Sequence, residues 1–222
     1  MDTAPMITQW LGRRRYAEIW ELQKKLLQQR VDGEIPDTFL LVEHEPVYTW
    51  GKRTLPEHMG AGESELAKLG ADTFLVERGG EITYHGPGQI VGYPIVNLAK
   101  LSCGKDLHKY MRGLEQVIIK TLAHYGLIGE RLDGLTGVWV QHNGQLAKVA
   151  ALGVRVRKWC AMHGFALNLS NEVLPWFKNV IPCGIGDRPV TSIQQLTGTT
   201  PTMDDVRAQL IDNFEEVFRG TK

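Results

Sequence analysis

Apolar residues recur at helical spacing in three long segments of the chain. A stripe of five apolar side chains predicts a helix over residues 16–30, which Asp32-Gly33 ends; its members are Tyr16, Ile19, Trp20, Leu26 and Leu27. Residues 105–125 form the longest helical candidate, and Gly126 follows it. Residues 204–218 predict a third helix, whose inward side carries Val206, Leu210, Phe214 and Val217. A shorter helix is predicted over 63–69.

Short apolar runs between these helices predict β-strands. They cover residues 38–42, 47–49, 73–77, 90–96, 138–140, 146–156 and 165–169. His142-Asn143-Gly144 separates two of these runs and is a turn former, which predicts a hairpin. Strands and helices alternate without a strict β-α-β rhythm, and the chain shows no linker or internal repeat. The pattern predicts an α+β fold, with residues 1–222 as a single domain.

Charge and cysteine usage narrow the classes of function. Lys and Arg total 25, as do Asp and Glu, which argues against a protein held on nucleic acid by a basic surface. Three widely spaced cysteines without a Cys-x-x-Cys pair indicate a reduced, intracellular protein without a zinc knuckle. No apolar run reaches signal-peptide or membrane-span length, so we expect a cytoplasmic protein. The histidines show no ligand spacing, so we expect no metal.

Residues 78–89, RGGEITYHGPGQ, are the first candidate for chemistry. Gly79-Gly80 removes two side chains where another group could approach the backbone, and Gly86-Pro87-Gly88 imposes a tight turn. One interpretation is a ligand cradle that offers the polar groups of Thr83, Tyr84 and His85. The other is a turn between two strands, with His85 as a hydrogen-bonded structural histidine. The segment matches neither phosphate-loop pattern, GxGxxG or GxxxxGK[ST].

Lys148 is the second candidate, because it interrupts an apolar strand. In a regular strand over 146–156, the even-numbered residues share one face, which places Lys148 among Ala150, Leu152 and Val154. A buried ammonium tends to lose its proton, so this lysine is a candidate base. The alternatives are a lysine that reaches solvent near the strand end, or a bulge that changes the alternation.

Cys183 is the third candidate, and it lies between Pro182 and Gly184, outside any periodic segment. A loop of this kind exposes the thiol, and the glycine leaves backbone N–H groups open to a reacting carbonyl oxygen. A cysteine thiolate is a natural acyl carrier, although it needs a base or a positive neighbour at neutral pH. The alternative is a buried, inert cysteine, which is our interpretation of Cys103 and Cys160.

Two further features remain open between function and structure. His163 precedes Gly164, so it either orients a substrate or is a hydrogen-bonded structural histidine. Arg155, Arg157 and Lys158 form a basic edge, which is either a solvated strand face or a surface for an acidic protein partner.

Seven motifs occur in one order between about Thr38 and Leu196, which is most of the chain. They are Glu45-Pro46-x-Tyr48-Thr49-x-Gly51, Arg78-Gly79-Gly80-x-x-Thr83-Tyr84-His85-Gly86-Pro87-Gly88-Gln89, Thr136-Gly137-Val138-Trp139, Lys148-Val149-Ala150-Ala151-Leu152-Gly153-Val154, His163-Gly164-x-Ala166-Leu167-Asn168, Ile181-x-Cys183-Gly184 and Val190-Thr191-Ser192. Together they resemble the lipoyl(octanoyl) transferase family, and the RGGEITYHGPGQ block is highly specific. Phe165, where a leucine is common in the family, is a mild departure that would alter the acyl pocket.

The resemblance implies a catalytic domain like that of biotin and lipoate protein ligases, with a mixed sheet and flanking helices. It implies that Cys183 is the nucleophile that carries an octanoyl thioester, and that Lys148 lowers the cysteine's pKa and shuttles its proton. It also implies that three segments line the substrate pocket: Arg78, Gly79, Gly80, Glu81, Ile82, Thr83, Tyr84 and His85; Ala151, Leu152 and Gly153; and Gly164, Phe165 and Ala166.

The implied reaction moves an octanoyl group from acyl carrier protein, through Cys183, to a lysine of a lipoyl domain. The acceptors would be the lipoyl domains of 2-oxoacid dehydrogenase complexes and the glycine cleavage H protein. Because the donor thioester is already activated, neither ATP nor a metal would be needed. The nearest rival is an ATP-dependent lipoate or biotin ligase, which needs an adenylate-binding loop that we do not find. A module that binds these partners without turnover is the other alternative, and it would not require a reactive cysteine.

Overall fold

A computed structural model of the protein describes residues 5–51, 62–179 and 188–220. Within these residues lie five α-helices: α1 (Tyr16–Asp32), α2 (Glu63–Lys68), α3 (Leu107–His124), α4 (Ile193–Thr197) and α5 (Met203–Arg219). The strands are β1 (Ile7–Arg14), β2 (Thr38–His44), β3 (Val47–Trp50), β4 (Asp72–Leu75), β5 (Thr83–His85), β6 (Gln89–Ile95), β7 (Glu130–Leu132), β8 (Leu135–His142), β9 (Gln145–Arg157) and β10 (Cys160–Asn168). Two 3-10 helices cover Leu98–Lys100 and Asn171–Asn179.

The strands form two mixed sheets. A seven-stranded sheet has the order β1-β2-β6-β10-β9-β8-β7, in which β1 and β2 are parallel and all other neighbours are antiparallel. A three-stranded sheet has the order β4-β3-β5, with β3 parallel to β4 and antiparallel to β5. The predicted α+β class with a mixed sheet and flanking helices is confirmed.

The two faces of the seven-stranded sheet are covered differently. Helices α3 and α5 pack on one face, called here the helix face, where Leu114, Ile118, Leu210 and Phe214 join the largest apolar core. Helix α1 packs across β6 and β10 on the other face, called here the cleft face. The amphipathic patterns of these helices explain the arrangement, because each helix buries one apolar side against the sheet.

Helix α1 follows its predicted length, and its end is the predicted one. Gly33 caps it in the left-handed conformation with φ +78°, which glycine adopts without strain. Its buried side, however, includes Gln23 and Arg30 in addition to Tyr16, Ile19 and Leu27. The Arg30 guanidinium donates to the Asp37 carboxylate at 2.7 Å, and both side chains are less than 5% exposed. The apolar pattern of α1 does not predict that Arg30 is buried, because its partner Asp37 lies outside the helix.

The hairpin prediction is confirmed, since Asn143 and Gly144 join β8 to β9 with φ of +49° and +79°. Strand β10 begins at Cys160, five residues before the predicted start at 165. Strand β1 was not predicted, because ITQWLGRR does not alternate regularly between apolar and polar residues.

Both edge strands of the large sheet are irregular. The pairing of β1 with β2 shifts register between Trp10 and Arg13, where Gly12 has φ +68°. At the opposite edge β7 has only three residues, and its pairing with β8 is irregular as well. None of the helices in the described ranges is long and apolar enough to cross a bilayer.

Candidate active site

A cleft opens between the cleft face of the large sheet and the small sheet. Its floor is formed by neighbouring strands of the large sheet and includes Val91, Tyr93, Ala151, Gly153, Gly164 and Ala166. Its opposite wall is the segment from Arg78 to His85, and Tyr16 and Phe177 also line it. Most of these side chains are small or apolar, so the cleft is suited to an aliphatic chain.

Lys148 lies in this cleft because of a β-bulge in β9. Trp139 of β8 pairs with Lys148, whereas the preceding residue Val138 pairs with Ala150, so β9 contains one extra residue at this point. Val138, Val149 and Ala150 therefore belong to the helix-face core, while Lys148 turns to the cleft face. The predicted regular alternation was wrong: Lys148 does not share a face with Leu152 and Val154. It is nevertheless buried, with 6% of its surface exposed.

The surroundings of Lys148 combine an aromatic ring and a returning chain segment. Its Nζ lies 4.9 Å from the centre of the Trp139 ring. Its backbone N–H donates to the Pro189 carbonyl at 2.8 Å, and the Thr191 N–H donates to the Lys148 carbonyl at 2.9 Å. The segment 188–191 follows Cys183 by only a few residues. It is hydrogen-bonded to both the backbone N–H and the backbone carbonyl of Lys148. Cys183 itself lies outside the described residues.

The Gly79-Gly80 pair lies flat against β9 and β3. The Gly79 N–H donates to the Val154 carbonyl at 3.0 Å, and a Cβ added to Gly153 would lie 2.7 Å from the Gly79 carbonyl oxygen. A Cβ on Gly51 would lie 2.2 Å from the carbonyl oxygen of Gly80, whose φ is +84°. These close approaches require glycine at positions 51 and 153, because a side chain at either position would force backbone segments apart.

The side chain of Arg78 holds the Gly79-Gly80 segment in place through hydrogen bonds. Its guanidinium donates to the Thr49 carbonyl at 2.7 Å and to the Thr49 hydroxyl at 2.8 Å. It also donates to the Gly79 carbonyl at 3.1 Å. With 7% of its surface exposed, Arg78 is therefore a buried cation that holds the cleft wall in place through several hydrogen bonds.

A series of hydrogen bonds connects His85 to Thr191, in the segment 188–191 beside Lys148. The Gln89 amide nitrogen donates to Asn168 Oδ1 at 2.9 Å and to the Tyr84 carbonyl at 3.3 Å, so the amide oxygen accepts from His85 Nδ1 at 2.8 Å. Asn168 Nδ2 then donates to the Thr191 carbonyl at 2.9 Å. Burial lowers the pKa of His85 to about 3, and its imidazole is neutral with the proton on Nδ1.

Two more neutral histidines lie on the cleft face. His44 Nδ1 donates to the Arg14 carbonyl at 3.1 Å, which leaves Nε2 to accept from the Tyr93 hydroxyl at 2.9 Å. Burial lowers the pKa of His44 to about 4 and that of His163 to about 3, where the charges of Arg78 and Arg155 add to the effect. His163 also has φ +59°, an unusual value for a bulky residue, and its N–H donates to Gln23 Oε1 at 2.9 Å.

The structure brings nearly all of the predicted pocket residues together. Lys148, His163 and twelve of the fourteen predicted substrate-binding residues line the cleft; these twelve are Arg78, Gly80, Glu81, Ile82, Thr83, His85, Ala151, Leu152, Gly153, Gly164, Phe165 and Ala166. Gly79 belongs to the cleft wall without lining the cleft, and Tyr84 points away from it. The Tyr84 ring stacks on Trp176 with centroids 5.0 Å apart, on the far side of β5. The ring of Phe165 packs against Phe39 in the helix-face core, at 6.1 Å between centroids.

Sequence reasoning missed several residues of the cleft: Tyr16, Gln89, Val91, Tyr93, Asn168, Phe177 and Val190. The motifs contained a signal for three of them, because Gln89 and Asn168 end two of the motifs and Val190 begins a third. Alternation along β6 also places Gln89, Val91 and Tyr93 on one face.

Neither the other two cysteines nor the basic edge lines the cleft. Burial raises the pKa of the Cys103 thiol to about 11 and raises that of Cys160, so both remain protonated at neutral pH. On the basic edge, Arg155 pairs with Glu77 at 3.2 Å, and Arg157 donates to Gln28.

Comparisons with known proteins agree with this architecture. The chain is 47% identical to an octanoyltransferase of Rubrobacter xylanophilus over 91% of its own length and 89% of the relative's. Among solved structures it resembles a bipartite lipoate protein ligase from Thermoplasma acidophilum, with a TM-score of 0.69, 16% identity and 96% and 84% of the two chains covered. A biotin protein ligase from Aquifex aeolicus matches with a TM-score of 0.56, 15% identity and 95% and 69% covered, which confirms the predicted fold resemblance. The sequence model described as the lipoyl protein ligase A/B catalytic domain matches residues 15–215. The chain therefore belongs to the lipoyl protein ligase A/B catalytic-domain family, in which it groups with the octanoyltransferases.

Proposed function

We propose that this acyltransferase moves an octanoyl group from acyl carrier protein to a lysine of a lipoyl domain, through a thioester on Cys183. The observation that carries the proposal is the buried Lys148 on the floor of a largely apolar cleft, beside the segment 188–191 that follows Cys183. A buried polar side chain that lines a largely apolar cleft is positioned to orient a ligand or to react with it. The relatives are named octanoyltransferases, and an octanoyl chain suits a largely apolar cleft.

In the first half-reaction Lys148 takes the proton of the Cys183 thiol, and the thiolate attacks the thioester carbonyl of octanoyl-acyl carrier protein. Collapse of the tetrahedral intermediate breaks the bond to the carrier's phosphopantetheine sulfur, which leaves as a thiol with the proton from Lys148. Thioester exchange of this kind is balanced by itself, so the proposal includes neither ATP nor a metal ion.

In the second half-reaction the amine of an acceptor lysine attacks the Cys183 thioester. The amide forms and Cys183 leaves as a thiolate. Lys148 carries the proton that the amine loses to this thiolate, which becomes the thiol again. We propose the lipoyl domains of 2-oxoacid dehydrogenase complexes and the glycine cleavage H protein as acceptors. The rigid wall from Arg78 to His85 and the floor residues 151–153 and 164–166 would hold the octanoyl chain.

The remaining parts of the proposal concern the whole chain. We propose one catalytic domain, which the family match over residues 15–215 supports. We also propose a cytoplasmic location, which rests on the sparse, widely spaced cysteines and on the intracellular carrier that serves as donor.

The test is intact-protein mass spectrometry after mixing the enzyme with octanoyl-acyl carrier protein, without ATP and magnesium. The parent protein should gain the mass of one octanoyl group and should transfer it to a lipoyl domain. Cys183→Ala should do neither and should keep the parent's melting temperature, because the change removes a nucleophile and no core volume. The matched control is Cys103→Ala, which should keep most of the activity.

Two outcomes would contradict the proposal. Transfer by Cys183→Ala at the parent rate would exclude covalent catalysis at this residue. Strict dependence on ATP, with free octanoate as the substrate, would place the protein among the ligases.

A further inference from the structure

The motif Thr136-Gly137-Val138-Trp139 has no role in the reaction described so far, yet it lies directly beside Lys148. Strand β8 pairs with β9 at the bulge, where Val138 faces the helix-face core. Its neighbours Gly137 and Trp139 therefore face the opposite side, which is the side of Lys148. The motif occupies the position from which a neighbouring strand can shape the surroundings of this lysine.

Trp139 contacts Lys148 through the face of its ring. The distance of 4.9 Å from Nζ to the ring centre is within the range of a cation–π contact, and Trp139 is 1% exposed. The indole N–H has no hydrogen-bond partner among the described residues, so the ring itself makes the contacts that place this side chain. A contact of this kind stabilises the ammonium form and fixes its position, because little water competes with it.

Gly137 leaves the room that the lysine side chain occupies. A Cβ at this position would lie 2.7 Å from Lys148 Cε and 3.0 Å from the Ala150 carbonyl oxygen. The Gly137 N–H donates to Glu115 of α3 at 3.2 Å, and Glu115 is buried between Arg112 and Arg131. Helix α3 thereby fixes the backbone against which the lysine lies.

The same ring contacts the segment that follows Cys183. The Arg188 guanidinium carbon lies 5.8 Å from the centre of the Trp139 ring, next to Pro189, which accepts the hydrogen bond from Lys148. One aromatic side chain therefore contacts the candidate base and also the chain that returns from the candidate nucleophile.

We infer that Gly137 and Trp139 form a seat for Lys148, and that Trp139 is a positioning residue for the proposed transfer. The inference rests on the proposed function, since it acts through the pairing of Lys148 with Cys183. The ring holds the ammonium where it stabilises the Cys183 thiolate, so its loss should make the thiolate form only at higher pH. A purely structural tryptophan would change the stability of the fold without moving the pH dependence of the thiol.

The experiment measures the rate of Cys183 alkylation against pH, in a Cys103→Ala, Cys160→Ala background in which Cys183 is the single cysteine. Trp139→Leu should raise the pH midpoint by about 0.5–1.5 units, the range that a partly desolvated cation–π contact supplies. Trp139→Phe keeps an aromatic face, so it should shift the midpoint less and restore most of kcat. Both variants should lower kcat more than they change KM for octanoyl-acyl carrier protein.

The same substitutions are then repeated with Lys148→Met. In this background neither Trp139 variant should move the midpoint, because the group on which the ring acts is gone. A shift that persists without Lys148 would overturn the inference, as would equal midpoints for the parent, Trp139→Phe and Trp139→Leu. Phe214→Leu, on the helix face, is the matched control that lowers stability alone. If Trp139→Leu does not fold, Trp139→Phe against Phe214→Leu decides the question in the same way.

The failure of this inference is distinguishable from that of the proposed function. Lys148→Met alone should raise the midpoint whatever the role of Trp139. An unchanged midpoint in Lys148→Met contradicts the proposed pairing itself, whereas a raised midpoint with no effect of Trp139 contradicts the seat only.

Discussion

The two faces of the seven-stranded sheet bury very different side chains. The helix face is built from apolar residues, and its polar exceptions Glu115, Thr121 and Asn213 are hydrogen-bonded within α3, α5 and β8. The cleft face buries Lys148, Arg78 and three neutral histidines around a cleft. Burying such groups opposes folding; the helix face buries one carboxylate, Glu115, which Arg112 and Arg131 neutralise, whereas the cleft face buries several ionisable side chains. The difference indicates that one face maintains the structure and that the other was selected for chemistry.

The largest effect that would sharpen this contrast is expected from Lys148→Arg. Arginine keeps the positive charge but does not release its proton near neutral pH, so transfer should fall by roughly 10²–10⁴-fold, the usual contribution of a general acid–base group. The measurement is single-turnover transfer from octanoyl-acyl carrier protein, together with a thermal unfolding curve. Lys25→Arg on the exposed side of α1 is the control and should transfer at the parent rate. Retention of activity in Lys148→Arg would mean that its charge alone suffices.

On the helix face the expected loss is one of stability. Phe214 is fully buried and lies 5.0 Å from Phe39 and 4.7 Å from Phe218 between ring centres. Phe214→Ala should lower the free energy of unfolding by about 3–5 kcal/mol, because it leaves a cavity in this core. Denaturant unfolding measures the change, and Ile128→Ala at a 79% exposed position should cost less than about 1 kcal/mol. The folded fraction of Phe214→Ala should keep the parent's pH profile of transfer; a shifted profile would mean that the two faces are coupled.

The smallest effect is the contribution of the neutral histidines to the pH dependence of stability. Their pKa values in the folded protein, about 4 for His44 and about 3 for His85 and His163, lie below the ordinary value near 6.5. The unfolded chain therefore binds more protons, so the stabilisation is complete above about pH 6.5 and is lost as the pH falls through the window toward pH 3. Each histidine should remove about 1.4 kcal/mol of stability per pH unit within that window.

Denaturant unfolding at pH 7.5 and pH 5.5 measures this loss. His163→Asn is the informative variant, because asparagine tolerates the left-handed backbone at this position and does not titrate. Its stability should fall less between the two pH values than that of the parent. An equal fall in both proteins would show that folding does not lower the pKa of His163.

The sequence predicted the regular elements well and the irregular ones poorly. The period of α3 is visible along the chain because one helical side is almost wholly apolar. Strand β1 has no such period, since it pairs at a sheet edge and most of its residues are exposed. The sequence leaves the bulge in β9 as one alternative only, because Val149 and Ala150 are both apolar and fit either alternation. Its position depends on pairing with β8, which the sequence of β9 does not contain.

The site shows the same division. The family resemblance located most of the cleft-lining residues, although the motif assigned Thr83, Tyr84 and His85 together. Side chains alternate between the two sides of a strand, so Thr83 and His85 line the cleft and Tyr84 lies on the other side of β5. The neutral state of His85 could not be predicted from the motif, since it depends on burial. Its tautomer depends on the amide of Gln89, which Asn168 orients. The role of Cys183 stays a prediction.

The irregular edges of the large sheet bear on how this protein behaves at high concentration. Its formal net charge is zero, so like-charge repulsion between copies is weak near neutral pH. Exposed strand edges would then invite copies to pair edge to edge and to grow into aggregates. At one edge the register shift at Gly12 and the side chains of Arg13 and Arg14 interrupt β1, and at the other β7 offers three residues only. The geometry of these two strands thus protects the protein against edge-to-edge aggregation, which its net charge does not do.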